Sequence, residues 1–135
     1  MKLIYPAIFY PKEESEGYTV EVPDLPGCIS CGNDLAETIS MGIDAASGWV
    51  LDEIEENKPI PQASPIHSIH PEKGGFVSLL VLDMGTYIQK YGDKSVRKNL
   101  TIPAWLNTFA EKNGLNISKV LQEALLKLYQ EKTVV

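Results

Sequence analysis

Residues 17–30 have the sequence GYTVEVPDLPGCIS, in which a β-rich segment leads into a turn that contains two prolines. Residues 18–22 are typical of a strand, and the apolar residues 3–10 before them predict the other half of a hairpin. Proline cannot donate to a strand ladder, so Pro23 and Pro26 end this pairing. A short third strand is expected over residues 28–30.

A long helix is predicted directly after this turn. Asp34 is a typical N-cap, Glu37 completes a capping box, and apolar residues then recur at helical spacing as far as Ile54. The helix should end near Asn57, because Pro59 follows.

The remainder of the N-terminal part returns to the sheet. Gly42 and other small residues predict that the helix packs closely on the sheet. Residues 58–74 contain four of the nine prolines and predict a long irregular connection. The apolar run of residues 75–82 predicts a strand that is buried on both faces or lies in the sheet interior. A short helix over residues 83–91 and a hinge at residues 92–93 follow.

The pattern changes in the C-terminal part. Residues 96–102 have the sequence VRKNLTI, which predicts a strand with one apolar and one polar face. Pro103 suits the first residue of a helix that ends near Gly114. Asn116 suits the cap of a second amphipathic helix, whose apolar stripe extends to Leu128.

One strand and two short helices cannot close a core alone, because the strand has two unpaired edges and the helices have nothing to cover. Two copies that pair their strands antiparallel across a two-fold axis solve both problems. We therefore expect an α+β chain with a small sheet and one main helix in residues 1–92. Residues 93–135 should form a module that dimerises.

The net charge of −6 is unevenly distributed along the chain. Residues 1–92, the front of the chain, carry a net charge of −9, and residues 93–135, its tail, carry a net charge of +3. This distribution favours a cationic partner for the front and a polyanion for the tail. Because apolar runs are short and the N-terminus does not resemble a signal peptide, we expect a cytoplasmic protein with no membrane contact.

Two segments resemble known families. RKNLTIP at residues 97–103, with NGLNIS at residues 113–118, is similar to a ribbon-helix-helix DNA-binding domain. Residues 5–7 and 17–28, with the capped helix, resemble the N-terminal domain of HicB antitoxins. The resemblance implies a partial RNase H-like domain that sequesters the small RNA-cleaving toxin HicA, and a tail that binds the operator of its own operon. It implies that the chain forms a homodimer and binds no cofactor. Whether two dimers assemble into a tetramer is left open.

The resemblance also implies DNA-binding residues on the strand and at the start of the second tail helix. They are Arg97, Asn99, Thr101, Asn116, Ile117, Ser118 and Lys119. The strand residues would enter the major groove as a β-ribbon, and backbone amides at the helix start would bind a phosphate. Arginine pairs well with guanine and asparagine with adenine. Lys98 departs from the family pattern, because an apolar residue usually occupies this core-side position.

Two other functions stay open. An RNase H-like fold also hosts metal-dependent nucleases, for which Asp24, Asp44 and Asp83 are the candidate carboxylates. Their spacing in the sequence does not require the three carboxylates to converge on one metal site. Asp24 lies in a turn and Asp83 at the end of a strand, where aspartate commonly forms hydrogen bonds to the backbone. The other alternative is a dimeric protein-binding module without DNA contact.

Cys28, Cys31, His67 and His70 suggest a zinc site, since thiolate and imidazole are good zinc ligands. On a strand, however, residues three apart point to opposite faces, so the two thiols would not converge on one ion. We therefore expect neither a metal site nor a redox-active cysteine pair.

Overall fold

The computed structural model describes residues 1–72, 74–92 and 96–133. Within these residues a four-stranded antiparallel sheet carries a long helix on one face, and three further helices follow. The elements in chain order are β1 (Lys2–Pro11), β2 (Tyr18–Glu21), β3 (Ile29–Gly32), α1 (Leu35–Glu55), a short 3-10 helix (Ile66–Ser68), β4 (Phe76–Asp83), α2 (Met84–Tyr91), α3 (Ala104–Lys112) and α4 (Ile117–Thr133).

The sheet has the strand order β3-β2-β1-β4. The predicted hairpin is confirmed, because β1 pairs with β2 from Ile8 opposite Glu21 to Pro11 opposite Tyr18. The third strand is also confirmed, although it begins at Ile29, one residue later than expected.

The predicted strand over residues 75–82 is confirmed as β4, but the prediction that it is buried on both faces or lies in the sheet interior is wrong. β4 lies at the edge of the sheet and pairs with β1 alone within the described residues. Leu80 and Leu82 are buried, whereas Leu79 and Val81 are 48% and 49% exposed. An apolar run indicates burial but does not say how many faces are covered, and α1 covers only one face here.

The two-proline turn is anchored by its central leucine. Leu25 is fully buried, and its amide donates to the carbonyl of Val22 at 3.0 Å. Gly27 has a φ of 81°, in the left-handed region that favours glycine. The indole Nε1 of Trp49 donates to the carbonyl of Pro26 at 3.0 Å, so the turn is tied to α1.

The N-terminus of α1 is capped as the sequence predicts. The amide of Glu37 donates to Asp34 Oδ1 at 2.7 Å, and the Glu37 carboxylate accepts from the amide of Asn33 at 3.1 Å. The close packing is confirmed, because a Cβ on Gly42 would lie 3.1 Å from Val20 and 3.3 Å from Leu80. α1 ends at Glu55, close to the expected Asn57, which has a φ of 57°.

The long connection after α1 is irregular apart from its 3-10 helix, and polar contacts fix its course. The phenol of Tyr5 donates to the carbonyl of Pro61 at 2.6 Å. The Asp24 carboxylate accepts from the amide of Ser64 at 2.9 Å and from its hydroxyl. Ile60 is fully buried. The connection thus contributes Ile60 to the core, while its other described residues are partly or fully exposed.

The helices of the tail agree closely with the sequence pattern. α3 begins at Ala104, so Pro103 is its N-cap and not its first helical residue as predicted. Gly114 follows the C-cap with a φ of 62°, and Asn116 Oδ1 accepts from the amide of Lys119 at 3.1 Å. The predicted hinge includes Asp93, which lies outside the described residues.

Replacing Tyr5 with phenylalanine should change how stability depends on pH. Burial, together with the nearby charge of Asp24, raises the pKa of Tyr5 to about 12. The unfolded chain therefore loses this proton first, so the stability that Tyr5 contributes is complete below about pH 10 and is lost between about pH 10 and pH 12. Tyr5→Phe should be less stable than the unmodified chain near neutral pH, because the bond to Pro61 is lost.

The difference in the free energy of unfolding between Tyr5→Phe and the unmodified chain should shrink as the pH rises above about 10. Urea denaturation at a series of pH values measures it. A difference that stays constant across the series would contradict this account of Tyr5.

Candidate functional site

The segment that was expected to form the ribbon strand is not a strand in this structure. Residues 96–103 have no regular secondary structure in the single chain. A strand requires a neighbour to accept and donate its backbone hydrogen bonds. The predicted partner of this segment is a second copy, so its lack of regular structure has a simple physical reason.

The segment nevertheless keeps the side-chain alternation that the sequence predicts. Val96, Lys98 and Leu100 line one groove together with Ile117 and Leu121 of α4. Arg97, Asn99 and Thr101 are not among the lining residues, and all three are exposed. Lys98 thus lies on the apolar side, where its aliphatic stem can cover apolar surface while the ammonium reaches water.

The apolar side chains of the tail are largely exposed in one copy. Val96 is 82% exposed, Trp105 71% and Leu100 56%. Between residues 96 and 120, all of which are described, Ala110 is the only buried residue. The tail has an amphipathic sequence, yet the described residues of the chain do not fully cover its apolar face.

The predicted phosphate-binding residues lie together at the start of α4. Asn116 is the cap, and Ile117, Ser118 and Lys119 form the first turn; all four are exposed. The Asn116 side chain accepts from the amide of Lys119, and its carbonyl accepts from the amide of Val120 at 3.0 Å. The amides of the first helical residues have no acceptor inside a helix, so those of Ile117 and Ser118 are available to an anion.

A second face of α4 contacts the N-terminal part of the chain, which the sequence analysis did not predict. The phenol of Tyr129 donates to the carbonyl of Lys58 at 2.9 Å, and Tyr129 packs against the core. Leu125 and Leu126 of α4 face Ile54 of α1 across a shared pocket. Leu126 and Tyr129 are three residues apart, a helical spacing that could have revealed this face.

The three candidate carboxylates of a nuclease have separate structural surroundings. Asp24 accepts from Ser64, and Asp44 is exposed on α1. Asp83 caps α2, and hydrogen bonds from Thr86 lower the pKa of its carboxyl group.

The candidate zinc ligands do not form a compact group. Cys28 is buried, and this burial raises the pKa of its thiol, whereas Cys31 is exposed on β3. In the described part of the chain, no three His, Cys, Asp or Glu side chains are grouped so that they could hold a metal ion.

The candidate residues of the tail therefore lie on exposed surfaces. Among the described residues, exposed apolar side chains lie on one side of residues 96–101, and Arg97, Asn99 and Thr101 lie on the other. None of the described helices is long and apolar enough to span a bilayer.

Comparison with known proteins identifies the family. The sequence model of one protein family, described as HicB_like antitoxin of bacterial toxin-antitoxin system, matches residues 5–124. The chain therefore belongs to this family of HicB-like antitoxins.

Relatives match most of the chain. An uncharacterized 14.9 kDa protein from the rep-hol intergenic region of Haemophilus phage HP1 (strain HP1c1) is 30% identical over 106 residues, which span 77% of this chain and 76% of the phage protein. A chain in the structure of a toxin-antitoxin complex from Streptococcus pneumoniae is 26% identical with a TM-score of 0.62, over 94% of this chain and 99% of that chain.

Another solved structure is similar over a smaller share of the chain. It is the N-terminal domain of the Burkholderia pseudomallei antitoxin HicB, with 26% identity and a TM-score of 0.53, over 60% of this chain and 99% of that chain.

Replacing Tyr129 with phenylalanine should weaken the contact between α4 and the N-terminal part. The variant keeps the ring but loses the hydrogen bond to Lys58, which should lower the free energy of unfolding by about 0.5 to 1.5 kcal/mol. Urea denaturation at a fixed protein concentration measures the loss. Lys127→Ala, at an exposed position of the same helix, should change stability by less than about 0.5 kcal/mol. Equal stability of Tyr129→Phe and the unmodified chain would contradict the role of this bond.

Proposed function

We infer that this chain is an antitoxin that binds a HicA-like RNA-cleaving toxin through residues 1–92 and represses its own operon through residues 93–135. It acts by binding and not by catalysis. The observation that carries the inference is the tail, where exposed apolar side chains lie on one side of residues 96–102 and exposed Arg97, Asn99 and Thr101 lie on the other.

The apolar side of the tail supports a homodimer. Antiparallel pairing of residues 96–102 across a two-fold axis would satisfy the backbone of this segment and form a two-stranded ribbon. The same pairing would bring a second set of helices over the groove that Leu100, Ile117 and Leu121 line. A two-fold interface uses the same patch on both copies, so a self-complementary apolar patch suits it.

The polar side of the tail supports DNA binding. In the ribbon, Arg97, Asn99 and Thr101 would all point away from the helices and enter the major groove, where Arg can pair with guanine and Asn with adenine. The amides of Ile117 and Ser118 would bind a backbone phosphate. Residues 93–135 also carry +3, which favours a polyanion.

The charge of the front supports the toxin as its partner. Residues 1–92 carry −9, whereas a protein that cleaves RNA needs a basic face for its substrate. Opposite charges increase the association rate and help to select the partner. The similarity to a chain of the Streptococcus pneumoniae toxin-antitoxin complex supports the same role.

Introducing a charge into the tail groove should separate the dimer. Leu121 lines the groove, so Leu121→Glu would place two carboxylates in a desolvated interface and should yield monomers. Met41→Glu, at an exposed position of α1, carries the same charge change and should remain dimeric. Sedimentation equilibrium measures both particle masses. A dimer of Leu121→Glu with unchanged affinity would show that the interface lies elsewhere.

Two substitutions should distinguish base contacts from phosphate contacts. Arg97→Ala should reduce the preference for the promoter upstream of the gene over random duplex, by about 1 to 3 kcal/mol if the contact is bidentate. Lys119→Ala should weaken binding to both duplexes and lower the slope of log K against log salt by about 1.

Fluorescence anisotropy at several salt concentrations measures both effects, on variants whose dimeric mass is verified first. If the unmodified chain, with or without its toxin, shows no preference for the promoter, the repressor function is wrong. The chain would then be a dimeric protein-binding module.

A further inference from the structure

The N-terminal sheet has an open edge and an exposed apolar patch at the same place. Ile4 of β1 lies directly opposite Val81 of β4, on the face of the sheet away from α1. Ile4, Leu79 and Val81 are 51%, 48% and 49% exposed, and we name these three residues the outer patch. Pro6 and Ile8, further along the same face of β1, are buried, so the patch lies where β1 begins and β4 ends.

The sequence of the edge strand beside this patch has little of the usual protection, although the 3-10 helix contacts this strand. β4 has the sequence FVSLLVLD, which contains no lysine and no proline, and its only charge is the terminal Asp83. Proteins normally protect a long edge strand with charged residues, proline or a bulge, because its outward backbone groups can pair with another chain. A strand with seven apolar or small residues, one terminal charge and one exposed face is thus suited to a partner that adds to the edge and covers the patch.

A second copy of this chain would cover these features poorly. Two β4 strands could pair edge to edge, but the two outer patches would then form one larger exposed apolar surface. Two sheets packed face to face would cover the patches and leave both edges open. Either arrangement brings together two N-terminal parts that each carry −9, which costs free energy by like-charge repulsion.

A basic partner can cover both the edge of β4 and the outer patch without like-charge repulsion. It is attracted by the negative charge of residues 1–92, and it can present a strand to β4 and apolar side chains to the outer patch. We propose that the RNA-cleaving toxin docks on this surface, with β4 as the edge to which it adds and Leu79 at the centre of the contact. This proposal rests on the function proposed above and specifies where the toxin binds.

The test uses the full chain and the HicA-like toxin that the proposed function assigns to it. Leu79→Lys places a charge in the outer patch and also blocks strand addition, as lysine does on natural edge strands. Met41→Lys is the matched control, because it makes the same charge change at an exposed position of α1, across the molecule from the patch. Leu79→Lys should weaken toxin binding at least tenfold in calorimetric titration, and Met41→Lys should stay within about twofold of the unmodified chain.

A second measurement needs no variant. Hydrogen exchange of the unmodified chain should slow at the amides of β4 when the toxin is added, while the amides of the exposed face of α1 stay unchanged. This result would support the proposal even if Leu79→Lys fails to fold.

Three outcomes would overturn the proposal. One is unchanged toxin binding by folded Leu79→Lys together with unchanged exchange at β4. Another is a smaller particle mass of Leu79→Lys with toxin binding retained, which would place a second copy on the patch. The third is failure of the unmodified chain to bind the toxin at all, which would overturn the proposed function itself.

Discussion

One copy of this chain has more apolar surface than it can bury. The sheet has two faces, and α1 packs on the face that carries Val20 and Leu80. The tail has two helices and an extended segment, which together bury only Ala110 between residues 96 and 120. Hydrophobic burial is the main favourable term in folding and association. We therefore place the proposed partners of the chain on its uncovered apolar surfaces, and we use the charges beside them to infer what those partners are.

Local signals in the sequence predicted much of the fold in both parts of the chain. The cap at Asp34, the two-proline turn and the glycine at position 114 act through their immediate neighbours, so their effect can be inferred without knowing the rest of the chain. The position of β4 could not be predicted in this way. An edge strand and an interior strand differ in what lies beside them, and this depends on the whole sheet.

The sequence predicted which side chains lie on each side of residues 96–102, but it did not predict the conformation of this segment in a single chain. The pattern of residues 96–102 predicted which side Lys98 occupies, because side chains alternate along any extended segment. The proposed strand would need a neighbouring strand, and none of the described residues pairs with residues 96–102. The contact of Tyr129 with Lys58 joins positions 71 residues apart, so no local pattern specifies it. α4 therefore serves two neighbours, the groove of the tail and the N-terminal part, and Leu125 lines both pockets.

Cross-linking at position 99 tests the proposed ribbon most directly. If Arg97, Asn99 and Thr101 of two copies form one symmetric antiparallel surface, Asn99 lies on the two-fold axis opposite its own copy. Opposed residues in such a pair have Cα atoms roughly 4.5 to 5.5 Å apart, within the range that disulfides span. In a Cys31→Ser background, Asn99→Cys should form disulfide-linked dimers rapidly under mild oxidation. Ser40→Cys on the exposed surface of α1 should not, and equal cross-linking at the two positions would contradict the account.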